Sequence, residues 1–241
     1  SQTNSNYNGF HIYSNRSLCD LCCHIVQYVT VCIAMEVIFH FTESLPTSLY
    51  CDTSLLHLLG TSGISIVNKL RNDLRRSYPS QIIDSDWEAV YGGGLNLQMN
   101  ILYASITEFI IVFRAPYRTA GFAGWHWVNS TCTVLSGEVV RTAYSSQSGS
   151  MEKFQPSQNF RHGEFERYAY EFAPNSYMAC YGRGAVAFSS AWMGMGSVVN
   201  GDPISFAKLL YVYNNACANQ IIHSLVKTFN YYKSKALKTE L

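Results

Sequence analysis

Hydrophobic and polar positions change their spacing along the chain, and each change predicts a different element. Between residues 64 and 76, apolar side chains recur every three or four positions while charged side chains take the other faces. This pattern predicts a helix, which Pro79 ends. A second apolar stripe at helical spacing runs from Pro203 to Tyr232. Asp202 and Pro203 suit its start, because proline is well tolerated in a first helical turn.

A different rhythm follows Pro116, where short β-branched and aromatic segments are separated by Gly, Pro, Asn and Ser turns. The segments are Thr131–Leu135, Glu138–Tyr144, Phe165–Phe172 and Ser176–Tyr181. In the third segment Tyr168, Tyr170 and Phe172 recur with a period of two, which places them on one face of a strand. This rhythm predicts a small β-barrel or jelly roll with an aromatic interior.

The region between these two patterns contains Gly92, Gly93 and Gly94, followed by apolar residues on every face of Leu95–Ala104. We expect a buried helix over Leu95–Ala104. The next segment, 105–113, is rich in branched side chains and predicts a strand. The glycines do not form a phosphate loop, because no Gly-Lys-Ser/Thr ending accompanies them.

The first 42 residues contain the strongest membrane signal. Residues 1–18 are polar and aperiodic, which predicts an extended arm. Within 19–42, the 20-residue stretch Cys22–Phe41 is long enough to span a hydrocarbon core of about 30 Å. Glu36 would cost roughly 2.5 kcal/mol or more in lipid, so the span is marginal. We expect a membrane-embedded helix, and a buried helix of a soluble domain is the alternative.

Composition narrows the choice of partners. The formal charge of +1, from 17 basic and 16 acidic residues, is too small to hold phosphate backbones, so we predict no nucleic-acid partner. Charged residues form 14% of the chain, against about 25% in ordinary soluble domains, which favours contact with lipid or protein. Cys19 and Cys22 lack a second pair at zinc spacing, so we predict neither a metal site nor a cofactor.

Four sequence blocks between Tyr91 and Gly184 carry the most specific signal. In order, they contain GGGLNLQMNILYASITEFIIVF, GFAGWHWVNSTCTVLSG, HGEF and APNSYMACYGRG. Together with Leu74–Pro79, these blocks resemble the sigma non-opioid receptor and fungal C-8 sterol isomerase family over about residues 64–230. The resemblance implies an N-terminal transmembrane helix, a cupin-like β-barrel around a lipophilic ligand, two C-terminal helices on the membrane, and a homotrimer.

The predicted fold class is therefore α+β. The expected order is an arm over 1–18, the apolar helix over 19–42, a helical lead-in and cupin-like barrel over 54–202, and amphipathic helices with a basic tail over 203–241. The resemblance implies the endoplasmic reticulum membrane, and a mitochondrial or other membrane is the alternative.

Cys132 and Cys180 decide the expected chemistry. Moving a ring double bond requires an acid that protonates one carbon and a base that deprotonates another, with a carbocation between the two steps. The family uses two acidic residues, and the resemblance places Cys132 and Cys180 at their positions. A buried thiol, whose pKa stays near or above about 8.5, replaces neither group. We favour two reduced, buried thiols there, with a Cys132–Cys180 disulfide as the alternative.

We predict a non-catalytic, membrane-associated protein that binds a lipid or sterol-like ligand or serves as a scaffold subunit. The predicted ligand contacts are Leu95, Met99, Glu108, Phe109, Phe113, Trp127, His162 and Tyr181. Three alternatives stay open: an active isomerase, a receptor for lipophilic amines, and an accessory subunit of a large membrane complex. The isomerase would need a glutamate from the set Glu108, Glu138, Glu164, Glu166 and Glu171. A structural role is favoured for Glu108, and a core role for His126 and His162.

Overall fold

The computed structural model describes residues 63–144 and 150–239, and side chains as far as residue 235. The segments predicted over 1–18 and 19–42 lie outside the described residues, as do positions 54–62 of the lead-in. The described elements, in chain order, are α1 (Gly63–Ser77), β1 (Glu88–Gly92), β2 (Leu95–Ala104), β3 (Glu108–Ala115), β4 (Thr119–Phe122), β5 (Val128–Ser136), β6 (Val139–Ala143), β7 (Met151–Phe154), β8 (Asn159–His162), β9 (Tyr168–Phe172), β10 (Ser176–Gly184), α2 (Val186–Val199) and α3 (Pro203–Thr239).

The strands form two antiparallel sheets that face each other. The larger sheet has the order β1-β2-β3-β10-β5-β8, and the smaller has the order β4-β9-β6-β7. The α+β class is confirmed, but the predicted β-barrel is not closed among the described strands. Among the described strands no ladder of main-chain pairs joins the two sheets, because β1 pairs with β2 alone and β8 with β5 alone. The described strands therefore form a sandwich of two sheets with two lateral edges.

Different contacts join the sheets at the two edges. At one edge the Phe122 N–H donates a 2.7 Å hydrogen bond to the Gly93 carbonyl. A β-carbon at Gly121 would lie 2.4 Å from that same carbonyl oxygen, so this approach requires glycine. At the other edge Arg141 donates a hydrogen bond to the Arg161 carbonyl at 2.5 Å. The first edge is joined by main-chain contact together with a 2.9 Å bond from the Asn96 N–H to the Thr119 hydroxyl, and the second is joined through the Arg141 side chain.

The helix predicted over Leu95–Ala104 is wrong, because this segment is strand β2. A tight turn at Gly93 and Gly94, with φ of +56° and +92°, pairs it with β1 as a hairpin. From Met99 onward the side chains on both faces of β2 are buried, including Met99 on one face and Asn100 on the other. Apolar Leu95, Leu97 and Met99 alternate with polar Asn96, Gln98 and Asn100, a period of two that indicates a strand and that the helix prediction overlooked.

Helix α1 confirms the predicted helix and covers the outer face of the larger sheet. Its buried side chains are Ile66, Val67, Leu70 and Leu74. Arg71 donates a 2.9 Å hydrogen bond to the side chain of Asn100, a fully buried residue of β2. A β-carbon at Gly63 would lie 2.3 Å from the ring of Tyr177 on β10. The outer face is therefore closed, and space for a ligand lies on the inner face.

The chain after β10 differs from the prediction in one respect. Helix α2 lies within 54–202, the range that the prediction assigned to the lead-in and the barrel. Of the helices expected over 203–241, the structure describes one, α3. Helix α3 starts at Pro203 as predicted, and its first half packs on the sheet through Leu209 and Ala216. From residue 225 onward its described side chains are exposed. None of the described helices is both long enough and apolar enough to cross a membrane.

The inner faces of the two sheets form the main core. Val134, Val139 and Phe172 are nearly inaccessible, and Tyr170 is 7% exposed. The aromatic interior predicted from the alternation of Tyr168, Tyr170 and Phe172 is confirmed, although Tyr168 is only partly buried. A second cluster joins the inner side of β1 and β2 to α2 and α3, through residues that include Trp192 and Leu209.

Candidate functional site

An apolar cavity of about 150 Å³ lies between the inner face of the larger sheet, strand β9 and the helices α2 and α3. Alternation along β3 points Phe109, Ile111 and Phe113 toward it. Helix α2 contributes Trp192, and helix α3 contributes Leu209, among other residues. The core of the sandwich therefore leaves room for a small lipophilic molecule, which two helices cover.

Cys132 and Cys180 lie in the wall of this cavity and are joined by a disulfide. The favoured expectation of two reduced thiols is wrong, and the alternative is confirmed. The two residues are direct partners in the antiparallel register of β5 and β10, with their Cα atoms 4.1 Å apart. Opposed residues on neighbouring strands have close β-carbons, which brings two sulfurs within bonding reach.

The described part of the cavity wall contains no carboxylate. The glutamates that an isomerase alternative requires, Glu108, Glu138, Glu164, Glu166 and Glu171, all lie outside the lining. Several of them have partners elsewhere: Lys153 pairs with Glu138 at 2.8 Å, and Arg118 pairs with Glu171. None of these five glutamates therefore reaches the cavity, where the ring system of a sterol substrate would have to bind.

Glu108 is buried on the opposite face of β3 from Phe109. The Tyr181 hydroxyl donates a 3.3 Å hydrogen bond to its carboxylate, and Arg183 Nε lies 3.6 Å away. Burial, followed by the charge of Glu108, raises the pKa of Tyr181 to about 12. This carboxylate therefore links β3 to β10 outside the cavity.

His162 lies at the polar end of the cavity with both ring nitrogens engaged. Its Nε2 is 3.1 Å from the Glu166 carbonyl, and its Nδ1 is 3.0 Å from the Tyr170 hydroxyl. A carbonyl only accepts, so Nε2 carries the hydrogen and Nδ1 accepts from Tyr170. Burial lowers the pKa of His162, in agreement with this neutral tautomer.

His126 completes the polar end. Its ring centroid is 5.0 Å from that of His162 and 5.7 Å from that of Trp192. Burial, followed by the neighbouring His162, lowers the pKa of His126 to about 4. The Ala123 carbonyl acts in the opposite direction, favouring the protonated ring, but its effect on the pKa is smaller. Both imidazoles of the cavity are therefore neutral at physiological pH.

Arg141 lies behind this polar end. Its guanidinium lies over the ring of Tyr168 at 4.3 Å and near the rings of Phe154 and Phe160. It also pairs with Glu152 on the neighbouring strand. The positive charge is compensated there, so Arg141 holds the aromatic interior together as a cation stacked among rings.

The structure brings together five of the eight predicted ligand contacts. Leu95, Met99, Phe109, Phe113 and His162 line the cavity, whereas Glu108, Trp127 and Tyr181 do not. Trp127 is 47% exposed and contacts Phe165 and Phe188. Sequence reasoning missed Trp192, whose helix it did not predict, and Leu209, which lies one position before Leu210 of the predicted α3 stripe.

The described residues do not form a group of three His, Cys, Asp or Glu side chains that could hold a metal ion. The cavity instead presents aliphatic and aromatic walls, two neutral imidazoles and a disulfide. Such a site can bind an apolar molecule and orient one polar group.

The family described as "ERG2 and Sigma1 receptor like protein" matches residues 21–226. "Sigma non-opioid intracellular receptor 1" of Xenopus tropicalis is 30% identical over 122 residues, covering 49% of this chain and 54% of the receptor. "Protein erg2 homolog" of Dictyostelium discoideum is 26% identical over 198 residues, covering 74% of this chain and 78% of that protein. The chain spans about half the length of the sigma receptors it matches.

The similarity of this chain to solved structures is low. KdgF from Halomonas sp. has a TM-score of 0.36 and 12% identity, covering 45% of this chain and 99% of that chain. An RmlC-like cupin from Shewanella frigidimarina has a TM-score of 0.35 and 13% identity, covering 44% of this chain and 92% of that chain. No functional argument follows from these scores. Because the family match spans most of the sequence, the chain belongs to the ERG2 and Sigma1 receptor like family.

Proposed function

We propose that this protein is a non-catalytic, membrane-associated member of its family that binds a lipophilic ligand in the cavity beneath α2 and α3. The observation that carries the proposal is the Cys132–Cys180 disulfide, at the positions that the resemblance assigns to the two acids. A disulfide has no transferable proton and no charge. It therefore supplies neither the acid, nor the base, nor the counter-charge for a carbocation.

The remaining ionisable groups of the cavity do not replace the acids. A group with a pKa of about 4, such as His126, is protonated in about one molecule in a thousand at pH 7. His162 is held in its neutral form by Tyr170 and the Glu166 carbonyl. With the glutamates outside the lining, protonation of an alkene in this cavity lacks a donor.

The exposed end of α3 supports the membrane and scaffold parts of the proposal. Its large side chains that are more than half exposed are Ile222, Leu225, Val226, Phe229, Tyr231 and Tyr232. Lys227 and Lys233 lie among them, a combination typical of helices at a lipid surface or a protein interface. The same surface favours a second candidate function, that of a subunit in a homotrimer or in a larger membrane complex, and the resemblance favours the endoplasmic reticulum.

Two measurements on the purified full chain test the catalytic and the binding parts separately. Incubation with a Δ8-sterol should give no Δ7 product, and calorimetry should detect binding of toluene, a small uncharged lipophile. Ala123→Leu fills the cavity and should abolish toluene binding. Ala120→Leu, on the exposed side of β4, is the matched control and should leave binding unchanged. Formation of the Δ7-sterol, or toluene binding that Ala123→Leu does not weaken, would contradict the proposal.

A further inference from the structure

We propose that the cavity selects lipophiles with a carboxylic acid head group, which Trp192 and His126 hold at its polar end. The inference rests on the proposed ligand-binding function and names the ligand class. We call the end of the cavity formed by Trp192, His126 and His162 the polar corner. The inference starts from the hydrogen-bonding groups there that the described residues leave unused.

Trp192 provides an unused donor. Its indole Nε1 is buried, and no described atom accepts a hydrogen bond from it. The same residue lines the cavity and packs beside His126. Buried donors in folded proteins are almost always paired, so a lone buried indole N–H indicates an acceptor that comes with a ligand.

His126 provides the complementary acceptor. A neutral imidazole has one donor and one acceptor, and the Ala123 carbonyl, which favours protonation of the ring, suits the donor. His162 offers nothing further, because Tyr170 and Glu166 engage both of its nitrogens. The corner therefore presents one donor and one acceptor. A carboxylic acid matches both, since its carbonyl accepts from Trp192 and its hydroxyl donates to His126.

Charge favours the acid over the other polar head groups. A protonated amine finds no carboxylate in the described lining, and burying an uncompensated cation is strongly unfavourable. Around the imidazoles lie Arg141, whose charge opposes protonation of His162, and the Glu166 carboxylate, which Gly163 and Tyr168 engage. An alcohol can make the same two bonds, but only the acid can share its proton as a charge-assisted bond, which is stronger in an apolar site.

The size of the cavity limits the hydrocarbon part of the ligand. A cavity of about 150 Å³ is comparable with an engineered apolar cavity that binds benzene. Octanoic acid is a suitable probe, with octanol and octylamine as head-group controls of the same chain length. All three probes have the same hydrocarbon chain, so differences between their affinities report on the contacts of the head group alone.

Binding of the acid should take up one proton. Near pH 7 the probe is an anion and His126 is neutral, whereas the complex holds one shared proton between them. Affinity for octanoic acid should therefore fall as pH rises, by up to tenfold per unit between about pH 5 and 7. Affinity for octanol should stay constant over this range.

Calorimetric titration of the full chain with the three probes and with toluene tests this inference. Trp192→Phe retains an aromatic ring, removes the N–H, and should weaken octanoic acid about tenfold while leaving toluene binding in place. His126→Gln, whose amide oxygen is a weaker acceptor than an imidazole nitrogen, should weaken octanoic acid at every pH and leave toluene binding in place. Trp127→Phe, outside the lining, is the matched control and should change neither property.

The outcomes separate the inference from the proposed function. If octanol binds as tightly as octanoic acid at every pH, or octylamine binds most tightly, the head-group assignment is overturned while lipophile binding stands. If none of the four compounds binds, the proposed ligand-binding function fails as well. Preference for octanoic acid that rises at low pH and disappears in Trp192→Phe supports the assignment.

Discussion

Reduction of the Cys132–Cys180 disulfide should destabilise the domain by a predictable amount. The bond joins residues 48 positions apart, on the adjacent strands β5 and β10. In the chain-entropy account, a cross-link restricts the unfolded chain more than the folded one. For a loop of this length the relation gives about 4 kcal/mol at 25 °C. The reduced thiols would keep their places in the wall, so packing should change little.

Urea unfolding followed by tryptophan fluorescence measures this effect in the full chain. With a denaturant slope of about 2 kcal/mol per molar, a loss of about 4 kcal/mol lowers the midpoint by about 2 M. The comparison should be made with and without a thiol reductant. A Cys132→Ala/Cys180→Ala variant is the control, because its response to reductant reports on the other cysteines alone. The difference between the two responses isolates this disulfide.

Two results would refute the reasoning. Alkylation of Cys132 and Cys180 in the folded protein before any reductant is added would show that the bond is absent. Equal midpoints for the oxidised and reduced protein, with the double variant matching both, would show that the cross-link leaves the unfolded chain unrestricted. Either result would also weaken the proposal of a cavity without acid–base groups, since reduced thiols would then face the ligand.

Three further predictions concern stability. Burial holds the folded-state pKa of His126 at about 4, below its ordinary 6.5. The free energy of unfolding should therefore be highest above pH 6.5 and fall by about 3 kcal/mol as the pH drops toward 4. Urea midpoints measured across this range should show a smaller loss in His126→Gln. Gly182→Ala would place a β-carbon 2.2 Å from the ring of Phe109 and should destabilise by about 1–3 kcal/mol in the same assay, which an unchanged midpoint would contradict. Asn100→Ala should lower the thermal midpoint, with a loss of about 1–3 kcal/mol, because the buried amide pairs with Ser85 and Arg71; a midpoint equal to the wild type would show that these bonds contribute nothing.

The sequence predicted the elements whose patterns were unambiguous. Helix α1 buries one stripe, and β9 buries alternate aromatic residues, so each has a single period. Strand β2 alternates apolar and polar residues from Leu95 to Asn100, but it ends in the continuous apolar run Ile101–Ala104, which resembles a buried helix. Helix α2 contains Gly194, Gly196 and several serines, whose low helix propensity gave no signal. Tertiary packing against β1 and α3 determines its structure instead.

The candidate site was predictable in its residues but not in its connections. Motifs located Cys132, Cys180 and His162, yet the disulfide depends on the pairing of β5 with β10, which no local pattern specifies. Trp192 could not be placed because its helix was not predicted. Glu108 and Tyr181 were expected at the ligand, and the alternation of β3 and β10 turns both to the outer face.

The two edges of the sandwich have a mechanical consequence. At the Gly93–Gly121 edge, main-chain atoms of the two sheets are in direct contact, and the Thr119 hydroxyl adds a hydrogen bond from the Asn96 N–H. At the Arg141 edge, the link depends on one side chain, which bonds the Arg161 carbonyl and stacks on Tyr168. We therefore expect replacement of Arg141 to loosen that edge, next to His162, while the glycine edge stays joined.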